Sequence, residues 1–174
     1  MTSETITITD DGKLKTSELF ASAKKLFSVY SSYPNEELDK FCPKPKKPTT
    51  RMFLKQVEPD EATLGKSYNE AVNADSMTLR ERILMEIAYF KETGNHLDEK
   101  GWTITSTLAS DDDAFYADWR PGGRRFGVGG YYRSYAGPAG GPRQCLTKNP
   151  ITKPSSSVSL PETLEINGIM YKQV

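Results

Sequence analysis

Residues 102–147 read WTITSTLASDDDAFYADWRPGGRRFGVGGYYRSYAGPAGGPRQCLT and form the most unusual part of the chain. They contain eight of the 13 glycines, four of the nine tyrosines and both tryptophans. The flanking segments have the ordinary patterns of helices, turns and linkers. Because binding residues are often carried by irregular segments on a regular scaffold, we expect the functional site within this stretch.

Three segments of this stretch are predicted strands: 102–107, 114–119 and 125–131. Residues two apart share a face of a strand, which favours an inner face with Trp119, Phe126 and Val128. The opposite face, with the loop that follows, would present Tyr116, Asp118, Arg120, Tyr131, Tyr132, Arg133, Ser134 and Tyr135. Tyrosine, arginine, serine and glycine are typical of binding surfaces. A glycine-rich sheet edge with solvated tyrosines explains these residues equally well.

Upstream of this stretch, alternation predicts a strand at 5–9, and an apolar face predicts a helix at 16–30. The proline- and lysine-rich residues 42–48 predict an exposed linker. A strand is predicted at 51–57 and a short helix at 59–72.

The clearest helix is predicted at 79–93. Thr78 and Glu81 have the spacing of a capping box, and Gly94 is a natural left-handed stop. An apolar face begins at Leu79 and Ile83. The charged side chains are predicted to form a solvated face: Arg80, Glu81, Arg82, Glu86, Lys91 and Glu92. The single histidine, His96, follows the helix and is expected in a loop or cap.

Residues 148–161 are polar and predict a second linker. Two short apolar runs then flank Asn167-Gly168. This pair favours a type I′ turn, so a C-terminal β-hairpin is predicted at 164–171.

Composition limits the functional classes. The formal net charge is zero, so no long-range field recruits nucleic acid or an anionic membrane. No apolar run approaches the roughly 18–20 residues of a spanning helix. The start, MTSETITITDDGK, has no signal-peptide pattern, which favours cytoplasmic synthesis and is compatible with later association with a virion or a cell surface.

No cofactor or metal site is expected. Asp111, Asp112 and Asp113 do not match a calcium-loop pattern, and a polar turn explains them better. Cys42 and Cys145 cannot form a tetrahedral zinc site by themselves. Two reduced thiols are expected, although a disulfide is possible.

Four segments of the chain resemble the variable proteins of diversity-generating retroelements. They are RMFLKQVEPDEATLGKSYNEAV, MTLRERILMEIAYFKETGNHLDEKGWTI, the DDDAFYADW–RRFGVGGYY core and the tail LPETLEINGIMYK. The resemblance covers roughly residues 51–174 and is most specific in the helix segment. The chain departs from the usual pattern at Phe115, Gly130 and the segment PRQCLT.

The resemblance implies an α+β, C-type-lectin-like domain, with amphipathic helices packed on a small antiparallel sheet. That domain would span 49–147, with a variable region at about 106–145. Residues 1–48 would be an N-terminal helical extension with its linker, and 148–174 a linker with the C-terminal β-hairpin. The implied framework residues are Trp102, Ala114, Ala117, Trp119, Phe126 and Val128.

In such proteins a reverse transcriptase rewrites adenine-templated codons. The implied function is therefore non-enzymatic binding of an unknown ligand, expected to be a protein. The implied ligand-binding residues are Tyr116, Asp118, Arg120, Gly127, Gly129, Tyr131, Tyr132, Arg133, Ser134 and Tyr135. The termini would be candidates for attachment to a larger assembly.

Two alternatives remain. A formylglycine-generating-enzyme-like catalyst would share this fold but needs a reactive cysteine. A single-stranded nucleic-acid binder would use arginine and tyrosine stacking. Residues 111–143 carry five arginines against four aspartates, a net charge of +1 that attracts phosphates weakly.

Overall fold

The computed structural model describes residues 4–146 and the backbones of two later strands, 163–166 and 169–172. Helices and strands are mixed, which confirms the predicted α+β class. In chain order the elements are β1 (Thr5–Asp10), α1 (Thr16–Lys24), β2 (Val29–Ser31), α2 (Asn35–Phe41), β3 (Thr49–Leu54), α3 (Tyr68–Ala71), α4 (Leu79–Thr93), β4 (Trp102–Leu108), β5 (Asp113–Arg120), β6 (Arg125–Tyr132), β7 (Gly140–Pro142), β8 (Thr163–Ile166) and β9 (Ile169–Lys172).

The largest sheet has five strands in the order β2-β6-β5-β4-β7. The three strands predicted in the glycine-rich stretch are confirmed as β4, β5 and β6, which pair antiparallel. The edge strands β2 and β7 run parallel to their neighbours β6 and β4. Neither edge strand was predicted, because each has only three residues and shows no periodicity of its own.

Helix α4 lies between two layers. One side packs with α1 and α2 against the main sheet, in a cluster that includes Leu79, Ile83 and Phe126. Its other side packs on the two-stranded sheet β1-β3, in a cluster that includes Met85 and Tyr89. The predicted bounds of the helix are confirmed. The Thr78 Oγ1 accepts from the Glu81 amide, and Gly94 ends the helix at φ 72°.

The predicted solvated face of α4 is wrong for four of its six members. Arg80, Glu81, Arg82 and Glu86 are buried, and only Lys91 and Glu92 are exposed. The second layer explains this difference, because a helix covered on two sides has little solvated face left. Arg80 faces the small sheet, where its guanidinium donates two hydrogen bonds to Asp10, 2.6 and 2.8 Å long.

A buried ionic network joins α4 to the loop after it. Asp98 is fully buried and accepts from Arg82 Nε at 2.9 Å and from Arg143 Nη2 at 2.5 Å. The Arg82 Nη2 atom lies 2.9 Å from the same carboxylate but makes no hydrogen bond, so charge alone acts there. Arg82 also donates to Glu86, whose other oxygen contacts His96 Nδ1 at 2.8 Å.

His96 is therefore more enclosed than a loop histidine. Its ring stacks on Trp119 with centroids 3.3 Å apart and planes 5° from parallel. Phe90 stacks against His96 at 4.9 Å. The fold does bring the carboxylate of Glu86 to the imidazole, but as part of the packed core.

The predicted helix at 16–30 is wrong in its second half. The helix ends at Lys24, and Val29–Ser31 joins the main sheet, since the edge of β6 offers backbone partners to these residues. Helix α2 was not predicted. The predicted helix at 59–72 is interrupted by Gly65 at φ 74°, which leaves a 3-10 turn at Glu61–Thr63 and the short α3.

Residues before position 48 pack as part of the same unit as those after it. Leu19, Phe20 and Leu38 belong to the cluster under the main sheet, and Ile6 and Ile8 belong to the cluster under α4. The predicted boundary at residue 48 thus falls inside one packed body. β8 and β9 pair antiparallel as the hairpin prediction requires. The turn at Asn167-Gly168 and the linker at 148–161 lie outside the described residues.

Candidate functional site

The outer face of the main sheet carries the predicted binding residues. Phe115, Ala117 and Phe126 point into the core, as does Val128, and all four are fully buried. The intervening residues of β5 and β6 therefore lie on the opposite face. This arrangement agrees with the predicted inner and outer faces of the two strands.

Large and small side chains are directly opposed across β5 and β6. The outer face has one pair of two large residues, Arg120 with Arg125, and three pairs of one large and one small residue: Ala114 with Tyr131, Tyr116 with Gly129, and Asp118 with Gly127. Each large group lies over the small residue of the partner strand. A Cβ built on Gly129 would be 2.8 Å from the Tyr116 ring, and one built on Gly127 would be 2.6 Å from Asp118 Oδ1.

Gly127 and Gly129 are consequently buried, although both belong to the predicted ligand-binding set. They present no side chain to a ligand. Their contribution is to leave room for Tyr116, Asp118 and Arg120 to lie flat on the sheet. A larger residue at either position would require those side chains to move.

Arg120 holds the outer face together. Its Nε donates to both oxygens of Asp118 at 3.1 Å, and its Nη2 donates to the Tyr116 hydroxyl at 2.9 Å. Burial raises the pKa of the Asp118 carboxyl and of the Tyr116 hydroxyl, and Arg120 offsets only part of that rise. The three side chains therefore have fixed positions before any ligand arrives.

A pocket of about 270 Å³ opens beside this group, lined by Trp102, Tyr116, Asp118, Gly130, Tyr131 and Tyr135. The indole of Trp102 packs closely against the backbones of Gly137 and Gly140, which leave no space for a Cβ. The Tyr131 hydroxyl is buried and has no hydrogen-bond partner among the described residues. Burial raises the pKa of this hydroxyl, which keeps it neutral at physiological pH.

The loop after β6 completes the surface. Tyr132, the last residue of β6, and Tyr135 in the turn after it are the most exposed large rings of this region, at 71% and 54%. The Tyr135 amide donates to the Tyr132 carbonyl, which closes a turn around Arg133 and the exposed Ser134. Arg133 Nη1 donates to the Asp111 carbonyl at 3.0 Å, and its guanidinium lies over the Tyr68 ring at 4.8 Å.

Three contributors to this face were missed or misplaced by the sequence patterns. Tyr30 was predicted on the inner side of a helix, but it lies on β2 next to Gly127 with its ring 39% exposed. Trp102 was predicted to be framework, but it also lines the pocket. Arg125 was not predicted as a site residue, but its guanidinium lies 4.7 Å from the centre of the Tyr30 ring. The β-branched Val29 was the only local sign that residues 29–31 form a strand.

Both cysteines of the chain lie among the described residues, and both are buried. Burial raises the pKa of the Cys42 thiol to about 12, which keeps it protonated at neutral pH. Cys145 is also buried and lies in the other cluster. Among residues 4–146, no three acidic, histidine or cysteine side chains converge as metal ligands.

No helix in the described part of the chain is both long and apolar enough to cross a bilayer. Comparison of the chain with protein-family models, with curated proteins and with solved structures gave no match.

Proposed function

We propose that this protein is a non-enzymatic binder that recognises its ligand through the outer face of β5 and β6 and the loop at 131–135. One observation carries the proposal: tyrosine, arginine and aspartate side chains cover one face of a sheet whose other face packs on the hydrophobic core. Side chains on that face can change without disturbing the core. Tyrosine rings provide contact area at low conformational entropy cost.

The proposal includes diversification of this face by a retroelement reverse transcriptase, on a C-type-lectin-like scaffold. Its support is the sequence resemblance together with the arrangement of the strands. Side chains along β5 and β6 point alternately into the core and onto the outer face. Variable surface positions can therefore alternate with constant core positions within one short segment. The pocket lined by Trp102 and Tyr131 gives such a surface a concave centre.

The genomic neighbourhood tests diversification directly. We expect a near-copy of the codons for residues 106–145 beside a reverse-transcriptase gene, differing mainly at adenines. Mismatches should fall on outer-face positions such as Tyr116, Asp118 and Tyr135, and should spare Phe115 and Ala117. Mismatches spread equally over codons for core and surface residues would contradict the proposal.

A library experiment tests the scaffold independently. Random substitution at Tyr116, Tyr132 and Tyr135 should leave most variants folded, because these side chains lie outside the core. The same randomisation at Phe115 and Ala117, both fully buried, is the matched control and should unfold most variants. Soluble yield and thermal unfolding of about fifty clones from each library would decide the question. Equal losses in both libraries would refute a replaceable surface.

The two alternatives have less support. A formylglycine-generating-like reaction needs a reactive thiol, whereas the Cys42 thiol is buried and protonated. A protein that binds single-stranded nucleic acid needs a row of positively charged side chains that follows several phosphates. Asp118 interrupts the arginines of the outer face, and the ring of Tyr30 is already covered by guanidinium groups.

A further inference from the structure

One end of the outer face holds a group of arginines around a single ring. The guanidinium carbons of Arg125 and Arg120 lie 4.7 and 5.7 Å from the centre of the Tyr30 ring. The exposed Arg124 lies between them in the chain, in the turn that joins β5 to β6. We refer to Tyr30, Arg120, Arg124 and Arg125 as the arginine cluster.

The arginine cluster has more positive charge than its neighbours neutralise. Asp118 pairs with Arg120, with Nε and Oδ1 3.1 Å apart. Neither Arg124 nor Arg125 has a carboxylate within salt-bridge distance anywhere in residues 4–146. The Arg125 Nε is also buried without a hydrogen-bond partner among these residues. The three arginines of the cluster therefore have a single carboxylate partner among the described residues.

The backbone of the turn places an arginine where a glycine would be easier to accommodate. Arg124 has φ 45° and ψ 49°, in the left-handed region. Gly122 and Gly123 precede it, but neither has a positive φ. A side chain in this region is strained relative to an ordinary conformation, because its Cβ approaches the following carbonyl oxygen. Such strain, kept at a position where neighbouring glycines could have absorbed it, is typical of functional turns.

We propose that the arginine cluster binds the carboxylates of an acidic segment in a protein ligand. The Tyr30 ring orients Arg120 and Arg125 through cation–π contacts, which lowers the entropy cost of fixing two long side chains. A planar guanidinium then matches a carboxylate with two parallel hydrogen bonds. This inference rests on the proposed function, since it assigns a ligand chemistry to one end of the same face.

Nucleic acid fits this cluster less well than an acidic peptide. The Tyr30 ring already contacts two guanidinium groups and is not free to stack on a base. The exposed Tyr132 ends β6, seven residues after Arg125 and therefore roughly 23 Å along the strand from it, and Tyr135 lies beyond. Asp118 occupies the face between them and would repel a phosphate backbone.

Titration of the full-length, isotope-labelled protein with the peptide Ac-Glu-Glu-Glu-NH₂ tests the inference by NMR. We expect chemical-shift changes at Tyr30, Gly127 and the Nε–H groups of Arg120 and Arg125, with weak binding that falls as salt rises. The Arg124→Gln/Arg125→Gln variant should bind at least about fivefold more weakly, because two charge-assisted contacts are lost. Ac-Lys-Lys-Lys-NH₂ should cause no shifts in the cluster.

Lys40→Gln is the matched control, since Lys40 is an exposed cation that also lies over an aromatic ring, but it belongs to α2 on the core side of the sheet. This variant should bind the acidic peptide like the unmodified protein. Arg124→Gln alone, at an exposed position, gives the same test with less risk to folding and should weaken binding measurably. Unchanged binding in the Arg124 and Arg125 variants, or an equal loss in Lys40→Gln, would overturn the inference.

A hexathymidine oligonucleotide separates the competing ligand class. If it shifts the same resonances at lower concentration than the peptide, the cluster is a nucleic-acid site and the inference is wrong. The outcome is also distinguishable from failure of the proposed function. If the gene has a template copy but the protein does not bind the peptide, only the proposed ligand chemistry is refuted. If the protein binds the peptide but no template copy exists, only the proposed diversification is refuted.

Discussion

Replacing Asp98 with asparagine should destabilise the protein strongly. The carboxylate is fully buried and accepts from Arg82, Arg143 and the Thr103 hydroxyl. Asparagine has nearly the same shape. It also tolerates the positive φ of 57° that Asp98 adopts, so the substitution changes charge with little change in backbone preference.

The magnitude follows from the charges that remain. Before the change, two buried guanidinium groups face the carboxylates of Asp98 and Glu86. Afterwards one positive charge is left without a partner in the core. Breaking a buried pair in this way costs about 3–5 kcal/mol. For a chain of this length, the same loss lowers Tm by roughly 6–20 °C.

Equilibrium unfolding in urea, followed by circular dichroism, measures the change in the free energy of unfolding. The control is Asp11→Asn, which removes an exposed ion pair with Lys13 and should cause no measurable change. A loss below about 1 kcal/mol for Asp98→Asn would refute the reasoning. It would mean that the two arginines are adequately solvated or paired without this carboxylate.

The pH dependence of the free energy of unfolding provides a second test of the same substitution. Burial alone would raise the pKa of Asp98, but the guanidinium groups of Arg143 and Arg82 outweigh it and hold the pKa below its usual value. Its stabilising effect is therefore complete above the unfolded pKa of about 3.9 and is lost as the pH falls through the folded pKa. The stability difference between the unmodified protein and Asp98→Asn should narrow as the pH falls below about 4. A difference that stays constant to pH 2 would contradict the assignment.

Three further substitutions or reactions test other parts of the structure. Thr78→Ala removes the cap of α4 and should lower the free energy of unfolding by about 1 kcal/mol in urea denaturation. No change would show that another group satisfies the freed amide. Gly129→Ala places a Cβ against the tyrosine ring opposite and should cost about 1–3 kcal/mol, while Gly122→Ala meets nothing within 4 Å and should be nearly neutral in the same assay. In a Cys145→Ser background, the buried Cys42 thiol should react with a thiol reagent at pH 8 far more slowly in the native protein than in urea, and equal rates would contradict its burial.

The sequence predicted the elements whose signals are local. The bounds of α4 follow from Thr78, Glu81 and Gly94, all of which act within one turn of the helix ends. Strands β5 and β6 were found because one face is continuous core and the other polar. The interleaved face of Tyr116 and Asp118 was therefore predictable as well.

The failures have a common physical origin, which is the contact between distant segments. Arg82 and Glu86 look solvated in sequence, because their partner Asp98 lies beyond the helix end and the strands of the small sheet end 28 or more residues before them (82 − 54 = 28). Val29 and Tyr30 continue a helical pattern, and only the free edge of β6 converts them to a strand. Hydrophobic periodicity is judged over a short segment of sequence, so it contains no information about either of these long-range contacts.

The opposed large and small residues on β5 and β6 limit how many different surfaces the protein could display. Positions such as 116 and 129 share one volume, so a bulky residue at both would collide and two small ones would leave a gap. Their substitutions are therefore coupled rather than additive. The accessible repertoire is then smaller than the product of choices at each codon, and a tyrosine on one strand should co-occur with glycine or alanine across from it.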